Sequence, residues 1–203
     1  SSDVCSSDLH HPLTIVTKSW LVERDIDLLA DMARRNLVEV YLSITTLDHD
    51  LARRLEPRAT APRRRLATLD RLRAAGIPTG VMFAPVIPAL NDTELESVLE
   101  AAAAAGVLDA GYVMLRLPHE VRSLFREWLD THYPLKADHV LNMIRDIRGG
   151  RDNDPAFGSR LRGQGVFADM IARRFRKACR DLGLNRPRTA LDTGAFIAPA
   201  TPG

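Results

Sequence analysis

Residues 80–115 read GVMFAPVIPALNDTELESVLEAAAAAGVLDAGYVML, and this stretch decides the fold. Two short apolar runs, residues 80–86 and 111–115, lie on either side of an alanine-rich segment that ends at Gly106. Runs that are apolar on both faces are typical of strands in a parallel sheet covered by helices. Alanine-rich segments closed by glycine are typical of helices. The stretch therefore predicts a strand, a helix over residues 92–105 and a second strand parallel to the first.

The same alternation continues toward the N-terminus. Two more apolar runs, residues 13–17 and 38–44, predict strands. The helices predicted between the strands cover residues 25–35, 48–55 and 62–75. Because four parallel strands are too few to close a barrel, we predict an α/β fold that is a partial (β/α) barrel, corresponding to the C-terminal half of such a barrel.

The alternation stops after the fourth predicted strand. Amphipathic patterns predict helices over residues 121–132, 137–148 and 167–182, with a glycine- and arginine-rich loop before the last one. We divide the chain accordingly into a non-native or disordered leader (1–10), the partial barrel (11–120), a C-terminal helical extension (121–184) and a flexible tail (185–203).

Composition narrows the class of protein. The 203 residues carry a formal net charge of +2, too small to imply a polyanionic partner. No apolar run approaches the length of a membrane span. The two cysteines, Cys5 and Cys179, cannot form a disulfide framework or a four-ligand metal site. We therefore expect a cytoplasmic protein that is not bound to a membrane.

Polar residues gather at the predicted strand ends, where (β/α) folds place their sites. Lys18 follows the first strand, Ser43 lies near the end of the second, PVIPALND at residues 85–92 follows the third, and Arg116 follows the fourth. Two cations and several hydroxyls at one edge suit a small molecule that bears a carboxylate and hydroxyls. This pattern predicts a binding site more than an acid/base site.

Each of these residues also has a structural explanation. Lys18 would equally serve as a solvated side chain, Ser43 as a partner of nearby backbone, and Arg116 as half of an ion pair with Glu56 or Asp92. The sequence Asp48-His49-Asp50 is explained by the acidic first turn of a helix. We therefore predict no metal site in this chain.

A series of short motifs resembles a known family. In chain order they are TKS (17–19), SITTLD (43–48), LEPRA (55–59), APVIPALND (84–92), GYVMLRLP (111–118), FREWL (125–129) and RGG (148–150). Their order and spacing resemble the C-terminal two thirds of radical S-adenosylmethionine (radical SAM) proteins of the spore photoproduct lyase-like branch. The resemblance runs from residue 11 to about residue 184.

The resemblance implies a cofactor chemistry. In this family three cysteines spaced C-x3-C-x2-C hold a [4Fe-4S] cluster, S-adenosylmethionine binds its open iron, and reduction yields a 5′-deoxyadenosyl radical. By resemblance, Lys18 would face the carboxylate of S-adenosylmethionine, Ser43 would hydrogen-bond its amino-acid or ribose part, and Ile87 would line its adenine. Arg116 falls on the substrate side of the rim. Pro85 and Ala89 stand where the family motif has glycines.

The cluster motif itself is absent from this chain. The resemblance therefore implies a longer parent enzyme with a [4Fe-4S] cluster and an electron donor such as a flavodoxin or ferredoxin, and a 203-residue part that is inactive alone. The substrate is not indicated, although residues 145–188 carry 12 basic and 5 acidic residues and nucleic acid is one option. Two alternatives stay open: a Schiff-base (β/α) barrel lyase or aldolase using Lys18, and a non-catalytic nucleic-acid-binding protein.

Overall fold

The computed structural model describes residues 9–150 and 161–197. Its centre is a parallel sheet in the order β1-β2-β3-β4. The strands are β1 (Leu13–Thr17), β2 (Val38–Ser43), β3 (Thr79–Val86) and β4 (Asp109–Met114). The four predicted strands, their order and their parallel pairing are confirmed.

Helices cover one face of this sheet. They are α1 (Ile26–Arg34), α3 (Pro62–Ala74), α4 (Leu95–Ala104) and α7 (Gly165–Leu182). The short helix α2 (His49–Leu55) follows the end of β2, and short 3-10 turns lie at Trp20–Asp25 and Asp92–Glu94. The main core lies between the sheet and α1, α3, α4 and α7. In β2, for example, Val38, Val40 and Leu42 are fully buried against these helices. The bounds of the helices differ from the predicted ones by a residue or two, except that the segment after β3 divides into a 3-10 turn and α4.

The opposite face of the sheet is concave and carries Tyr41 and Met82. Each of these side chains lies over a glycine of the next strand. A Cβ added to Gly80 would lie 2.2 Å from the Tyr41 ring, and one added to Gly111 would lie 2.5 Å from the Met82 sulfur. The two glycines therefore let neighbouring side chains lie flat, which keeps this face shallow.

Two further helices, α5 (Val121–His132) and α6 (Ala137–Asp146), pack at the carboxyl ends of β3 and β4. They bury a second, smaller core that includes Ile87 and Leu117 from the strand-end loops. The Trp128 Nε1 donates a hydrogen bond of 3.0 Å to the carbonyl of Arg54. The helical extension is thus fixed against both the strand-end loops and α2.

Residues 185–197, here called the strap, run along the amino ends of the strands from β4 to β1. Asn185 bonds to the backbone of Ala110 in β4, and Asn36, just before β2, bonds to the strap at residues 190 and 192. Near its end the Ile197 N–H donates to the carbonyl of Leu9 ahead of β1. The described part of the predicted flexible tail is therefore hydrogen-bonded along its length.

Arg188 of the strap reaches the concave face. Its guanidinium pairs with Asp109 of β4 and lies 3.2 Å from a carboxylate oxygen of Glu39 in β2. Glu39 also accepts a 2.9 Å bond from Thr14 of β1, and the Tyr41 hydroxyl lies 3.5 Å from Asp109. The strap thus forms a charged floor to the half barrel.

Residues 1–8, 151–160 and 198–203 lie outside the described residues. Most of the predicted leader, most of the loop before α7 and the end of the predicted tail fall there, and these predictions stay predictions. None of the described helices is long and apolar enough to cross a membrane.

Candidate functional site

The first element of the site is a network that joins the ends of β1 and β2. Lys18, just past β1, forms an ion pair with Glu56 and lies 3.3 Å from the Thr45 hydroxyl. The Thr45 hydroxyl also lies 2.7 Å from Glu56 and 2.9 Å from the carbonyl of Ala84. Thr45, just past β2, and Glu56, at the C-terminal end of α2, are 27 and 38 positions from Lys18 in the sequence, and both meet it at the end of β1.

Arg65 of α3 supports this network from below. Its side chain is 2% exposed and donates 2.7 Å bonds to Glu56, to the Ser43 carbonyl and to the Thr60 carbonyl. A buried arginine with three acceptors is held in one orientation. Arg65 therefore fixes Glu56, and Glu56 in turn holds Lys18.

The Glu56 carboxyl is ionised at neutral pH. Burial raises its pKa, but hydrogen bonds from Lys18, Arg65 and Thr45 lower it more, so the net pKa lies below the ordinary value of 4.5. Two cations and one carboxylate leave the Lys18–Glu56–Arg65 unit with a charge of +2 − 1 = +1. Since Lys18 is its exposed member, with a side chain 38% accessible, that charge faces the rim.

Ser43 ends β2 on the concave face, opposite Met82 of β3. It is 7% exposed, and its carbonyl is the one that Arg65 binds. Its predicted neighbour in the site, Lys18, reaches Thr45 two residues farther along the chain. The structure therefore brings Lys18 to the chain just past the end of β2, and the predicted roles of Lys18 and Ser43 in cofactor binding stay predictions.

The loop after β3 is locked by a residue that the sequence analysis did not single out. Asn91 is fully buried; its side-chain oxygen accepts from the Ile87 N–H at 2.6 Å, and its Nδ2 donates to the carbonyls of Thr45 and Pro85. Ile87 itself is fully buried in the second core with α5 and α6. Its predicted contact with adenine stays a prediction.

The end of β4 holds an arginine that no described carboxylate satisfies. The Nε of Arg116 is buried and has no hydrogen-bond partner among the described residues, and the same holds for Oδ1 of Asp92. Neither of the two ion pairs considered for Arg116, with Glu56 or with Asp92, is formed. Arg116 therefore retains hydrogen-bonding capacity at the rim.

The described residues do not form a metal centre. No group of three or more His, Cys, Asp or Glu side chains could hold a metal ion in the part of the chain that the structure describes. Asp48 instead caps α2, accepting from the N–H groups of Asp50 and Leu51. Cys179 is buried in α7, and burial raises the pKa of its thiol to about 11. Two cysteines in the chain cannot supply three cluster thiolates, so these residues do not fit a [4Fe-4S] cluster.

Comparison with known proteins decides the family. Residues 4–102 match the model of the radical SAM superfamily. Over these residues the chain belongs to the radical SAM superfamily. In structure it is similar to a cysteine-to-serine mutant of spore photoproduct lyase, with a TM-score of 0.57 and 17% identity over 85% of this chain and 49% of that one. The fold is therefore a partial radical SAM (β/α) barrel.

Curated relatives of this radical SAM chain are longer. It is 38% identical to the uncharacterised protein Rv2578c of Mycobacterium tuberculosis. The match extends over 165 residues, which are 80% of this chain and 47% of the relative. It is 28% identical over 135 residues to the uncharacterised protein MJ0683 of Methanocaldococcus jannaschii, covering 66% of this chain and 49% of the relative. The chain thus spans about half the length of the curated relatives it matches.

Sequence reasoning missed Arg65 and Asn91 and gave Glu56 only as a possible partner of Arg116. Arg65 lies in the run Arg63-Arg64-Arg65, and no local pattern tells which arginine of such a run is buried. The helical period of α3 does indicate that Arg65 is buried. Thr68 and Leu69, which follow it by three and four residues, lie on the same buried face of the helix.

Proposed function

We propose that this chain is the C-terminal part of a longer radical SAM enzyme, and that it supplies the rim which receives S-adenosylmethionine. The cluster cysteines, the reducing partner and the complete barrel would belong to the rest of the longer protein. The observation that carries the proposal is the net positive, partly exposed Lys18 unit at the strand ends of a radical SAM fold.

The residues present fit the amino-acid end of S-adenosylmethionine. Its carboxylate would be drawn to the Lys18 unit, its amino-acid or ribose part would lie by Ser43, and the adenine would lie against the loop that carries Ile87 and that Asn91 locks. When bound to a reduced cluster, S-adenosylmethionine supplies a 5′-deoxyadenosyl radical. The work of this chain is to orient the cofactor and to exclude water from it.

Arg116 would face the substrate. Its buried Nε, which has no hydrogen-bond partner among the described residues, supports a role in binding an anionic or carbonyl group. We place the longer enzyme in the cytoplasm, with a flavodoxin or ferredoxin as its electron donor.

The two alternatives receive less support from the structure. A Schiff-base lysine needs a free amine, whereas Lys18 forms an ion pair with Glu56. In the basic C-terminal segment, Arg174 pairs with Glu96, Lys177 with Asp181, and Arg188 with the carboxylates of the floor. Such pairing leaves less charge for phosphates.

The experiment compares the longer protein with this chain. Both are expressed without oxygen, supplied with iron and sulfide, and assayed for bound iron and for 5′-deoxyadenosine released from S-adenosylmethionine under a strong reductant. We expect about four irons and product from the longer protein, and neither from the 203-residue chain. A longer protein without iron or product would exclude the proposal. Product from the 203-residue chain alone would contradict the assignment of the cluster to the rest of the longer protein.

A further inference from the structure

The three-residue unit of Lys18, Glu56 and Arg65 carries an inference that rests on the proposed function and deepens it. We propose that Glu56 and Arg65 are positioning residues, which aim the Lys18 ammonium at the carboxylate of the cofactor. Neither residue would touch the cofactor. They would act by fixing where the Lys18 charge lies and by keeping that charge uncancelled.

Side-chain exposure increases through the unit from Arg65 to Lys18. The side chain of Arg65 is 2% exposed, that of Glu56 13%, and that of Lys18 38%. A lysine side chain has four rotatable bonds and loses much entropy when it is held. An anchor buried in α3 thus immobilises, through one carboxylate, a cation that remains open to the rim.

Arg65 also sets the net charge of the unit. A lone Lys18–Glu56 pair would be neutral and would offer little to an incoming carboxylate. Arg65 occupies one oxygen of Glu56 and Lys18 the other, which leaves a net charge of +1. Arg65 therefore compensates Glu56, and the Lys18 charge stays available to a ligand.

The unit is attached to the ends of several strands. Arg65 also binds the carbonyl of Ser43 at the end of β2, and Asn91 binds the carbonyl of Thr45 from the loop after β3. The unit is therefore built into the ends of β1, β2 and β3 at once. A buried ion pair is rarely the most stable choice for a core position, because apolar replacements are often neutral or stabilising. Its location at three strand ends is better explained by orientation of a ligand than by stability.

The first test measures Lys18 directly in the 203-residue chain. Acetic anhydride acylates free amines, so an ammonium held in an ion pair reacts slowly. We expect Glu56→Gln to raise the acetylation rate of Lys18, read by mass spectrometry relative to Lys177 in the same molecule, at least threefold. The matched control, Asp50→Asn, removes a negative charge from the same helix region without contacting Lys18, and should leave the rate unchanged. Equal rates in the wild type and Glu56→Gln would overturn the positioning of Lys18.

The second test measures binding of S-adenosylmethionine by equilibrium dialysis in the longer, cluster-loaded protein. Glu56→Gln makes the site more positive, so a purely electrostatic role predicts tighter binding, whereas a positioning role predicts binding about tenfold weaker. Arg65→Lys keeps the charge but loses the fork of donors, and should weaken binding in the same direction. Circular dichroism confirms that each variant folds, and Glu56→Asp should restore part of the affinity.

The outcomes separate the inference from the proposed function. Unchanged or tighter binding by Glu56→Gln overturns the inference while the radical SAM proposal stands. A wild-type longer protein that neither holds iron nor binds S-adenosylmethionine overturns both, and the acetylation result then still shows whether Glu56 positions Lys18.

Discussion

Ala89 adopts a backbone conformation that side chains rarely tolerate. Its φ is +60°, in the left-handed region, and it stands where the family motif has a glycine. The backbone therefore keeps a conformation that is favourable to glycine, and the alanine is accommodated in it.

We expect Ala89→Gly to stabilise the fold by up to about 1 kcal/mol, because the left-handed conformation costs an L-residue about 1–2 kcal/mol and part of this is offset by the greater freedom of glycine when unfolded. Urea unfolding measures the change. The control, Ala101→Gly within α4, should instead lose about 1 kcal/mol. Equal losses in both variants would contradict the strain at Ala89.

Cys179 should behave as an inert core thiol. With a pKa raised to about 11 by burial, about one thiol in a thousand is ionised at pH 8. We expect Ellman's reagent to leave Cys179 unmodified in the folded chain and to modify it fully in urea, as located by peptide mass spectrometry. Rapid modification in the folded chain would mean that α7 opens readily.

At the level of single residues, the sequence predicted which side chains follow each strand but not how they pair. Lys18 and Ser43 could be placed at the strand ends because their positions follow directly from the predicted strands. Arg65 was not, since burial of a charge depends on acceptors that are distant in sequence, here the carbonyls of Ser43 and Thr60. The burial of Ile87 likewise depends on α5 and α6, which fold over it from a later part of the chain.

At the scale of elements, the glycines of β3 and β4 differ in how well they should tolerate substitution by alanine. We expect Gly80→Ala to destabilise the chain by about 1–3 kcal/mol, since the rigid Tyr41 ring must move. Gly111→Ala meets only the end of the flexible Met82 side chain and should cost less than about 1 kcal/mol. Thermal unfolding of the two variants compares them directly, and a reversed order would contradict the packing of Tyr41.

The strap should depend on Arg188. Arg188→Met leaves Glu39 and Asp109 facing each other without their cation, and we expect a loss of about 1–2 kcal/mol, reduced from the value for a fully buried pair because the arginine is 32% exposed. Hydrogen exchange should rise in residues 185–197. Arg180→Met, at an exposed pair with Asp181, should leave both quantities unchanged.

The elements were largely predictable and the strap was not. Runs that are apolar on both faces located all four strands, and period-3.6 patterns with their end signals located the helices within the described residues. Residues 185–197 show no such period, because their order comes from single contacts such as those of Asn185 and Arg188. Contacts of that kind leave no repeating signal in a sequence.

At the scale of the whole molecule, carboxyl groups with lowered pKa values make the free energy of unfolding depend on pH. Burial raises the pKa of Glu23 and of Glu56, but bonds to arginine, lysine and threonine lower both below 4.5, and the bond to Arg174 lowers the pKa of Glu96. A lowered pKa contributes stability above the unfolded value, and this contribution is lost as the pH falls through the folded value. We expect the free energy of unfolding to fall steeply below pH 4.5.

The variant Glu56→Gln tests this dependence. It should be less stable than the wild type at pH 7, and its free energy of unfolding should change less between pH 7 and pH 3.5, as measured by urea unfolding at each pH. A parallel loss in both proteins would show that Glu56 does not contribute to the acid sensitivity.

The half barrel as a whole followed from the sequence because each strand and helix agrees with its local pattern. The family resemblance was confirmed over residues 4–102. A candidate site could be placed at the strand ends from the sequence, but its geometry could not, since it depends on Glu56, Arg65 and Asn91, which come from separate helices and loops.

The strap also has a consequence for the order in which the protein is made. Glu39 and Asp109 leave the ribosome long before Arg188, and Leu9 long before Ile197, its hydrogen-bond partner. During synthesis the sheet can form while its acidic floor is still open to water. Residues 185–197 emerge later and then close it, so a ribosome paused before residue 188 would display a folded sheet with two uncompensated carboxylates.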